Sequence, residues 1–405
     1  MTEFRSTIIE VNLDALVRNL HEIRKQVGAH CKVMAIVKAN AYGHGAVSVA
    51  TALTRAGADW LGVASTEEGV ELRQAGLSLP TLVMGGTLEP EFETLVAHRL
   101  TPVVYHSEMV PLLEKTAARM GKPIKIHVKV DTGMGRLGLL PEETAAFIQT
   151  ISQRGRLVVE GLMTHFAEAD LENRAFVEEQ IQKFNRVLSD LDGRGIKIPL
   201  CHLANSAGIF NHSTSHFQMV RPGIALYGYA PGVGSAFSPN LQPCLRLTTR
   251  IVQVKRVPKD TSISYGRTYV TKRESLIASL PVGYADGYSR LLSNKGQVLI
   301  RQQRVPIVGR VCMDMTLVDV SKVPAVRLGD EAVLLGQQGN QAIRADEIAD
   351  WTGTIPYEVL SVLNARIARK YTGQVPVKEG TDDTGTSNAR VSKKNDGLKE
   401  GSQLS

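Results

Sequence analysis

The sequence predicts an α/β fold, an N-terminal (β/α)8 TIM barrel over residues 1–240 followed by a mostly β domain over 241–376. Three observations predict it: eight short apolar runs alternate with helix-length segments, the alternation stops beyond Pro231, and polar residues gather at the ends of the runs. The 405 residues leave room for two substantial cores, and 43% hydrophobic with 21% charged residues is the composition of an ordinary globular protein.

Ile8 to Val11 reads as a short strand. Leu13, Leu16, Val17, Leu20, Ile23 and Val27 then fall at helical spacing, with Asn12 or Asp14 available as a cap. The eight strand candidates are Val33–Val37, Trp60–Ala64, Thr81–Met84, Thr101–Tyr105, Ile124–Val130, Leu157–Thr164, Leu200–Ala204 and Gln218–Tyr227, each but the last followed by a helix-length segment. This order fits a closed barrel better than an open doubly wound sheet. A barrel places chemistry at the C-terminal ends of its strands and phosphate after the seventh and eighth. From Pro231 to Pro243 a Gly/Pro/Ser-rich connection leads into the runs Leu247–Val257, Ser275–Leu280, Gln297–Ile300, Val305–Val308 and Glu331–Leu335, whose turn residues indicate β structure. Beyond Thr372 aliphatic residues all but vanish, and 377–405 is expected to be a disordered polar tail.

Charge and cysteine content narrow the function classes. The net charge of +7 is scattered and aromatic residues are only 5%, so no nucleic-acid stripe is expected. Cys31, Cys201, Cys244 and Cys312 lie far apart with no CxxC pair, which points to reduced thiols and no metal site. The N-terminus has no apolar core of a signal peptide, and no run reaches the roughly 18 to 20 apolar residues of a membrane span. A cytoplasmic protein without a membrane partner is the expectation.

Lys38 closes the first barrel run, in AIVKANAYGHG at 35–45. Burial there disfavours the ammonium and would leave a free amine of the kind that forms Schiff bases. Taken alone, the segment fits a strand-end lysine reaching for solvent better. The other strand ends supply Lys129, Asp131 and Arg136, then His165, then Asn205 and Ser206, and finally Arg221 with Gly223. Lysine, tyrosine and arginine beside a phosphate site suit a pyridoxal cofactor.

These segments occur in order with others: VDTGMGRLG at 130–138, HLANS at 202–206, RPGIALYG at 221–228, ISYGRTY at 263–269, VGYADGYSR at 282–290 and GRVCMDM at 309–315. Over residues 5–372 the chain thereby resembles the alanine racemase family, barrel-type (fold type III) enzymes that use pyridoxal 5'-phosphate. The resemblance implies a homodimer that interconverts L- and D-alanine and supplies D-alanine for peptidoglycan precursors. It makes Lys38 the Schiff-base lysine and one of two bases, with Tyr265, contributed by the partner's β domain, as the base on the opposite face. A tyrosine, ordinarily near pKa 10, needs help to act as a base, and His165 is the implied helper. Arg221 is placed on the pyridine nitrogen, where a group that can only donate weakens the ring as an electron sink, and His202 is placed behind it. Phosphate is expected on Tyr42, Ser206, Gly223, Ile224 and Tyr357, with Asn205 among the cofactor residues. Arg136 is implied at the cofactor's phenolic oxygen and the substrate carboxylate, Met313 at that carboxylate, and Tyr284 with Arg290 at the entrance. Lys129 is carbamylated in many family members.

The alternatives are a racemase of broader or different specificity, such as serine, a non-catalytic pyridoxal-phosphate barrel and a barrel-type decarboxylase. ISYGRTY argues against the non-catalytic barrel, which lacks the opposing tyrosine. The chain departs from the family pattern at Asn364-Ala-Arg-Ile-Ala-Arg, where cysteine and proline are common, and in its tail.

Overall fold

A computed structural model describes residues 5–230, 232 and 240–373; the expected tail and most of the Gly/Pro/Ser-rich connection lie outside the described residues. The first strand, β1 (Ile8–Asn12), leads into the helix Leu13–Val27, which Asn12 caps by accepting from the Ala15 N–H at 3.0 Å. That helix buries Leu16, Leu20 and Ile23 completely. Each such side chain contributes about 1.5–3 kcal/mol by leaving water.

Eight strands then form one parallel sheet: β2 (Lys32–Ile36), β3 (Trp60–Val63), β4 (Thr81–Val83), β5 (Thr101–Val104), β6 (Ile124–Lys129), β7 (Leu157–Met163), β8 (Leu200–His202) and β9 (Met219–Val220). The order runs β8-β7-β6-β5-β4-β3-β2-β9, and the Arg221 N–H donates to Ala204 O at 2.9 Å across the remaining seam, so the sheet curls into a barrel. Strands β3, β4 and β5 are buried at every position, as strands covered by helices on one side and packed inward on the other must be. The eighth strand is far shorter than the Gln218–Tyr227 expected. Pro222 cannot donate to a ladder, and after Gly223 the chain winds into a tight helical turn at Ile224–Tyr227.

The remaining strands are β10 (Leu245–Arg250), β11 (Gln253–Val257), β12 (Ser262–Ile263), β13 (Tyr269–Val270), β14 (Ser275–Leu280), β15 (Gln297–Ile300), β16 (Gln303–Pro306), β17 (Thr316–Asp319), β18 (Glu331–Gln338), β19 (Gln341–Ile343) and β20 (Ala368–Thr372). They form a mixed sheet ordered β16-β15-β18-β10-β1-β20, with β19 on β18, and a three-stranded sheet β11-β14-β17 beside the ribbon β12-β13. The run Leu247–Val257, expected as one strand, divides between these two sheets. The first strand of the chain thus belongs to the C-terminal sheet, pairing antiparallel with β10 and parallel with β20. One apolar core runs through both regions, with a small satellite of Ile263, Ile277 and Val308. Among the described residues the cysteines are free thiols and no helix is long and apolar enough to cross a membrane.

Candidate active site

The C-terminal ends of the barrel strands open into a cavity of about 760 Å³, lined by Lys38, Tyr42, Lys129, Arg136, His165, Asn205, Ser206, Arg221, Gly223, Ile224 and Tyr357 among others. That volume lies within the usual range for a small-molecule site. Tyr265, Tyr284 and Met313 do not line it; in a single chain they stand 69%, 42% and 54% exposed on the β domain.

Lys38 leaves β2 at the start of an unusual turn. Ala39, Asn40, Ala41 and Tyr42 all adopt φ near +52°, one turn of left-handed helix made from L-residues. Glu68 secures it, one carboxylate oxygen accepting from Ala39 N–H at 2.6 Å and the other from Ala64 N–H at 2.7 Å. The Asn40 side chain accepts from Ala46 N–H at 2.8 Å, joining the turn to the next helix. Burial and then the Arg136 guanidinium push the Lys38 amine below its ordinary value against an opposing pull from Glu68.

Arg221 is 3% exposed and accounts for four of its five N–H groups. Nη1 donates to His202 Nδ1 at 2.9 Å and His202 O at 2.6 Å, while Nη2 donates to Thr164 O at 2.7 Å and Leu203 O at 2.9 Å. Only Nε has no hydrogen bond among the described residues, on a side chain that lines the cavity. Burial draws the guanidinium down to about 9, which still leaves it charged at neutral pH. His165 Nδ1 lies 3.3 Å from Nη2, which already donates to two carbonyls and cannot accept, so a neutral imidazole avoids setting an N–H against it by carrying its proton on Nε2. Burial, with Arg221 the largest of several nearby cations, keeps His165 neutral. Behind it, buried Gln180 donates to His165 O and Thr132 Oγ1, both at 3.1 Å, and accepts from Ala167 N–H at the same distance.

The proposed phosphate end is built from Ser206 and the Gly223 turn. Ser206 Oγ accepts from Gly223 N–H at 2.8 Å and Ala225 N–H at 3.3 Å, leaving Ile224 N–H without a hydrogen bond among the described residues. A Cβ on Gly223 would stand 2.6 Å from the Tyr42 hydroxyl, so only glycine permits this approach. Tyr357 closes the same end with its ring 6.0 Å from that of Tyr42, on a helix, Pro356–Ser361, that meets the chain at Gly43. Asn205 lines the cavity, but its side chain is occupied in capping the following helix at Gly208 N–H, 2.9 Å away.

Lys129 is 4% exposed and makes no ion pair among the described residues. Burial, then Arg136 and Arg221, bring its amine down to about 8. Asp131 accepts from Gly133 and Gly135 N–H at 3.0 and 3.1 Å, which shapes the loop that carries Arg136. Glu68 and Gln180 went unremarked in the sequence because each reaches a backbone group distant in the chain, Ala39 N–H for Glu68 and His165 O for Gln180. Glu68 alone left a signal, in the capping pattern Ser65-Thr66-Glu67-Glu68.

The β domain assembles its own exposed cluster. Tyr284 N–H donates to Cys312 O at 3.1 Å, Ala285 N–H to Met313 O at 3.0 Å, and Ser264 Oγ to Arg310 O at 2.6 Å. These bonds put Tyr265, Tyr284 and Met313 on adjoining loops. Ser264 and Arg267 have φ of 65° and 52°, so Tyr265 is displayed from a strained turn.

Residues 11–231 match the family model for the alanine racemase N-terminal domain, and 244–371 that for the C-terminal domain. A relative described as an alanine racemase, from Halothermothrix orenii, is 46% identical over 92% of this chain and 98% of its own. Among solved structures, the alanine racemase of Clostridium difficile 630 superposes with a TM-score of 0.88 at 37% identity, covering 92% of this chain and 97% of that one. The Bacillus anthracis alanine racemase with bound L-Ala-P gives 0.86 at 36% identity over 94% and 98%. The Bartonella henselae enzyme with covalently bound pyridoxal phosphate gives 0.82 at 29% identity over 91% and 99%.

Proposed function

The chain belongs to the alanine racemase family and is an amino-acid racemase, and from that premise we propose that it interconverts L- and D-alanine by a two-base mechanism dependent on pyridoxal 5'-phosphate. The observation that carries this reading is the set of donors around one cavity that have no hydrogen-bond partner among the described residues: the depressed Lys38 amine, Arg221 Nε, His165 Nε2–H and Ile224 N–H. Their spread fits the cofactor. Ile224, Ser206, Tyr42 and Tyr357 would hold its phosphate, Arg221 Nε its ring nitrogen, and Lys38 its aldehyde carbon. When bound, the cofactor's conjugated ring takes up the electron pair released as the substrate Cα–H bond breaks.

The protein's own groups do the rest. Lys38 exchanges the α-proton on one face, and burial beside Arg136 disfavours the ammonium form that could not accept it. Tyr265 of a second copy would exchange it on the other, because in its own chain Tyr265 stands outside the cavity. His165 Nε2–H would stabilise the phenolate, and Arg136 with the Met313 N–H of that second copy would hold the substrate carboxylate. Tyr284 of the second copy and Tyr357 would narrow the entrance to admit a methyl side chain. Lys129, desolvated among cations, would carry a carbamate that orients Arg136. The reading therefore includes a homodimer, which in the cell would act in the cytoplasm to supply D-alanine to peptidoglycan precursors.

Incubating the protein with L-alanine in D2O tests the reading: optical rotation should vanish as deuterium enters Cα. Rotation lost without deuteration, or L-serine turned over within about tenfold of L-alanine, would overturn it, since one pocket contact discriminates by roughly 1–3 kcal/mol.

A further inference from the structure

We infer that His127, one residue layer below the cavity, is a positioning residue that fixes the tautomer of His202 and through it the aim of Arg221. This rests on the reading of Arg221 Nε as the group that meets the cofactor ring. His127 is completely buried and its Nδ1 lies 2.8 Å from His202 Nε2.

The proton positions follow from valence alone. Arg221 can only donate, so His202 Nδ1 accepts and the His202 proton sits on Nε2. His202 Nε2–H must then donate to His127 Nδ1, which places the His127 proton on Nε2. That last N–H has no hydrogen-bond partner among the described residues. Burial holds both rings neutral, with His127 drawn down to about 3 and His202 well below its ordinary range.

The fold makes specific room for this ring. The pairing of β6 with β7 shifts register between Ile126 and His127, so that Ile126 faces Val159 and His127 faces Gly161. A Cβ on Gly161 would stand 2.4–2.6 Å from three atoms of the imidazole ring, so glycine opposite leaves the room this ring needs. Trp60 packs against the other side, with ring centroids 5.2 Å apart. A bulge, a glycine and an aromatic wall thus hold a buried polar ring whose outer N–H goes unsatisfied, which a purely apolar residue would avoid.

Removing the acceptor has a defined consequence. His202 Nε2–H would be left buried and unpaired, and shifting the proton to Nδ1 would set it against the Arg221 Nη1–H. The first outcome strands a buried donor, which favours the second, and in the second the guanidinium must turn and Nε loses its aim.

The test uses the holoenzyme and three forms: wild type, His127→Asn, which keeps an acceptor near the Nδ1 position, and His127→Leu, which does not. Ring-15N NMR of selectively labelled histidine should show His202 protonated on Nε2 in wild type and the Asn variant, and that state lost in the Leu variant. Visible absorption of the bound cofactor should shift in the Leu variant alone, with kcat down roughly ten- to a hundredfold and largely restored in the Asn variant. If the Leu variant does not fold, the wild-type spectrum decides, since a proton on His127 Nδ1 would overturn the inference. An unchanged His202 tautomer in the Leu variant, or equal loss of kcat in both variants, would overturn it as well. A tautomer switch with unchanged absorption and kcat would instead uphold the His127–His202 coupling and refute the placing of Arg221 on the cofactor ring.

Discussion

At the residue scale, the site gathers four cations, Lys38, Lys129, Arg136 and Arg221, none of which forms an ion pair among the described residues. Lys129 shows this most sharply, with an amine near pKa 8 beside Arg136, Arg221 and Lys38. An amine so depressed is partly unprotonated at neutral pH, which is the form that takes up carbon dioxide, and the resulting anion would relieve three neighbouring positive charges at once. Protein equilibrated with 13C-bicarbonate is therefore expected to show a carbamate carbon resonance that is missing from Lys129→Met. Linkage supplies an independent check. For the unmodified amine the folded state is penalised below about pH 8 and relieved as pH rises from there toward the ordinary 10.5, because the unfolded chain binds the extra proton in that window. Carbon dioxide-free protein should gain stability across that window relative to Lys129→Met in urea titrations, and the carbamylated form should not. Gly161 gives a second residue-level expectation. Gly161→Ala presses its methyl against the His127 ring and should lower unfolding free energy by about 1–3 kcal/mol, as other overpacked cores do.

At the element scale, the turn after Lys38 concentrates strain. Each L-residue in the left-handed region costs roughly 1–2 kcal/mol, and four stand in a row between Lys38 and Gly43. Ala39→Gly removes one such penalty at a cost of about 0.5–1 kcal/mol in unfolded-state entropy, so a net gain of about 0.5–1 kcal/mol is expected. A lower urea midpoint for that variant would contradict the strain argument. The turn also marks where sequence reading stopped. Barrel strands were legible because each is an apolar run between helical patterns, and β14 and β15 coincide with their expected ranges. The left-handed turn was not, since Ala-Asn-Ala-Tyr carries no glycine to announce positive φ. The short β9 and the division of Leu247–Val257 were hidden for a related reason: apolar runs record burial, and burial does not reveal where a chain leaves one sheet for another. Lys38, His165 and Arg221 were legible as polar breaks in apolar strands, but Glu68, Gln180 and His127 reach Ala39, Ala167 and His202, which lie 29, 13 and 75 residues away in the chain.

At the scale of the whole molecule, the two regions are stitched together by the chain's beginning. Strand β1 fills a place in the C-terminal sheet, and just before it Arg5 grips buried Asp286 with two hydrogen bonds of 2.6 Å. Burial pushes the Asp286 carboxyl up, yet Arg5, Gly283 N–H and Arg366 outweigh it and hold the group below its ordinary 3.8. Asp286→Asn should thus cost about 1.5–3 kcal/mol at neutral pH, the range for hydrogen bonds to a charged group. The gap from wild type should narrow below about pH 4, as the wild-type carboxylate takes up its proton and loses the same stabilisation. This stitching fixes Tyr265 in its own chain on a surface away from the Lys38 cavity, so under the proposed two-base reading the second base would come from another copy. Mixing two inactive variants decides the matter. Lys38→Ala and Tyr265→Phe homodimers each lack one base at both sites, but a mixed dimer has one site with both residues native and one with neither. Unfolding and refolding an equimolar mixture should restore about one quarter of wild-type activity, because half the two-fold dimers are mixed and each carries one intact site of two. If both bases came from one chain, no pairing could reunite them and the mixture would stay inactive.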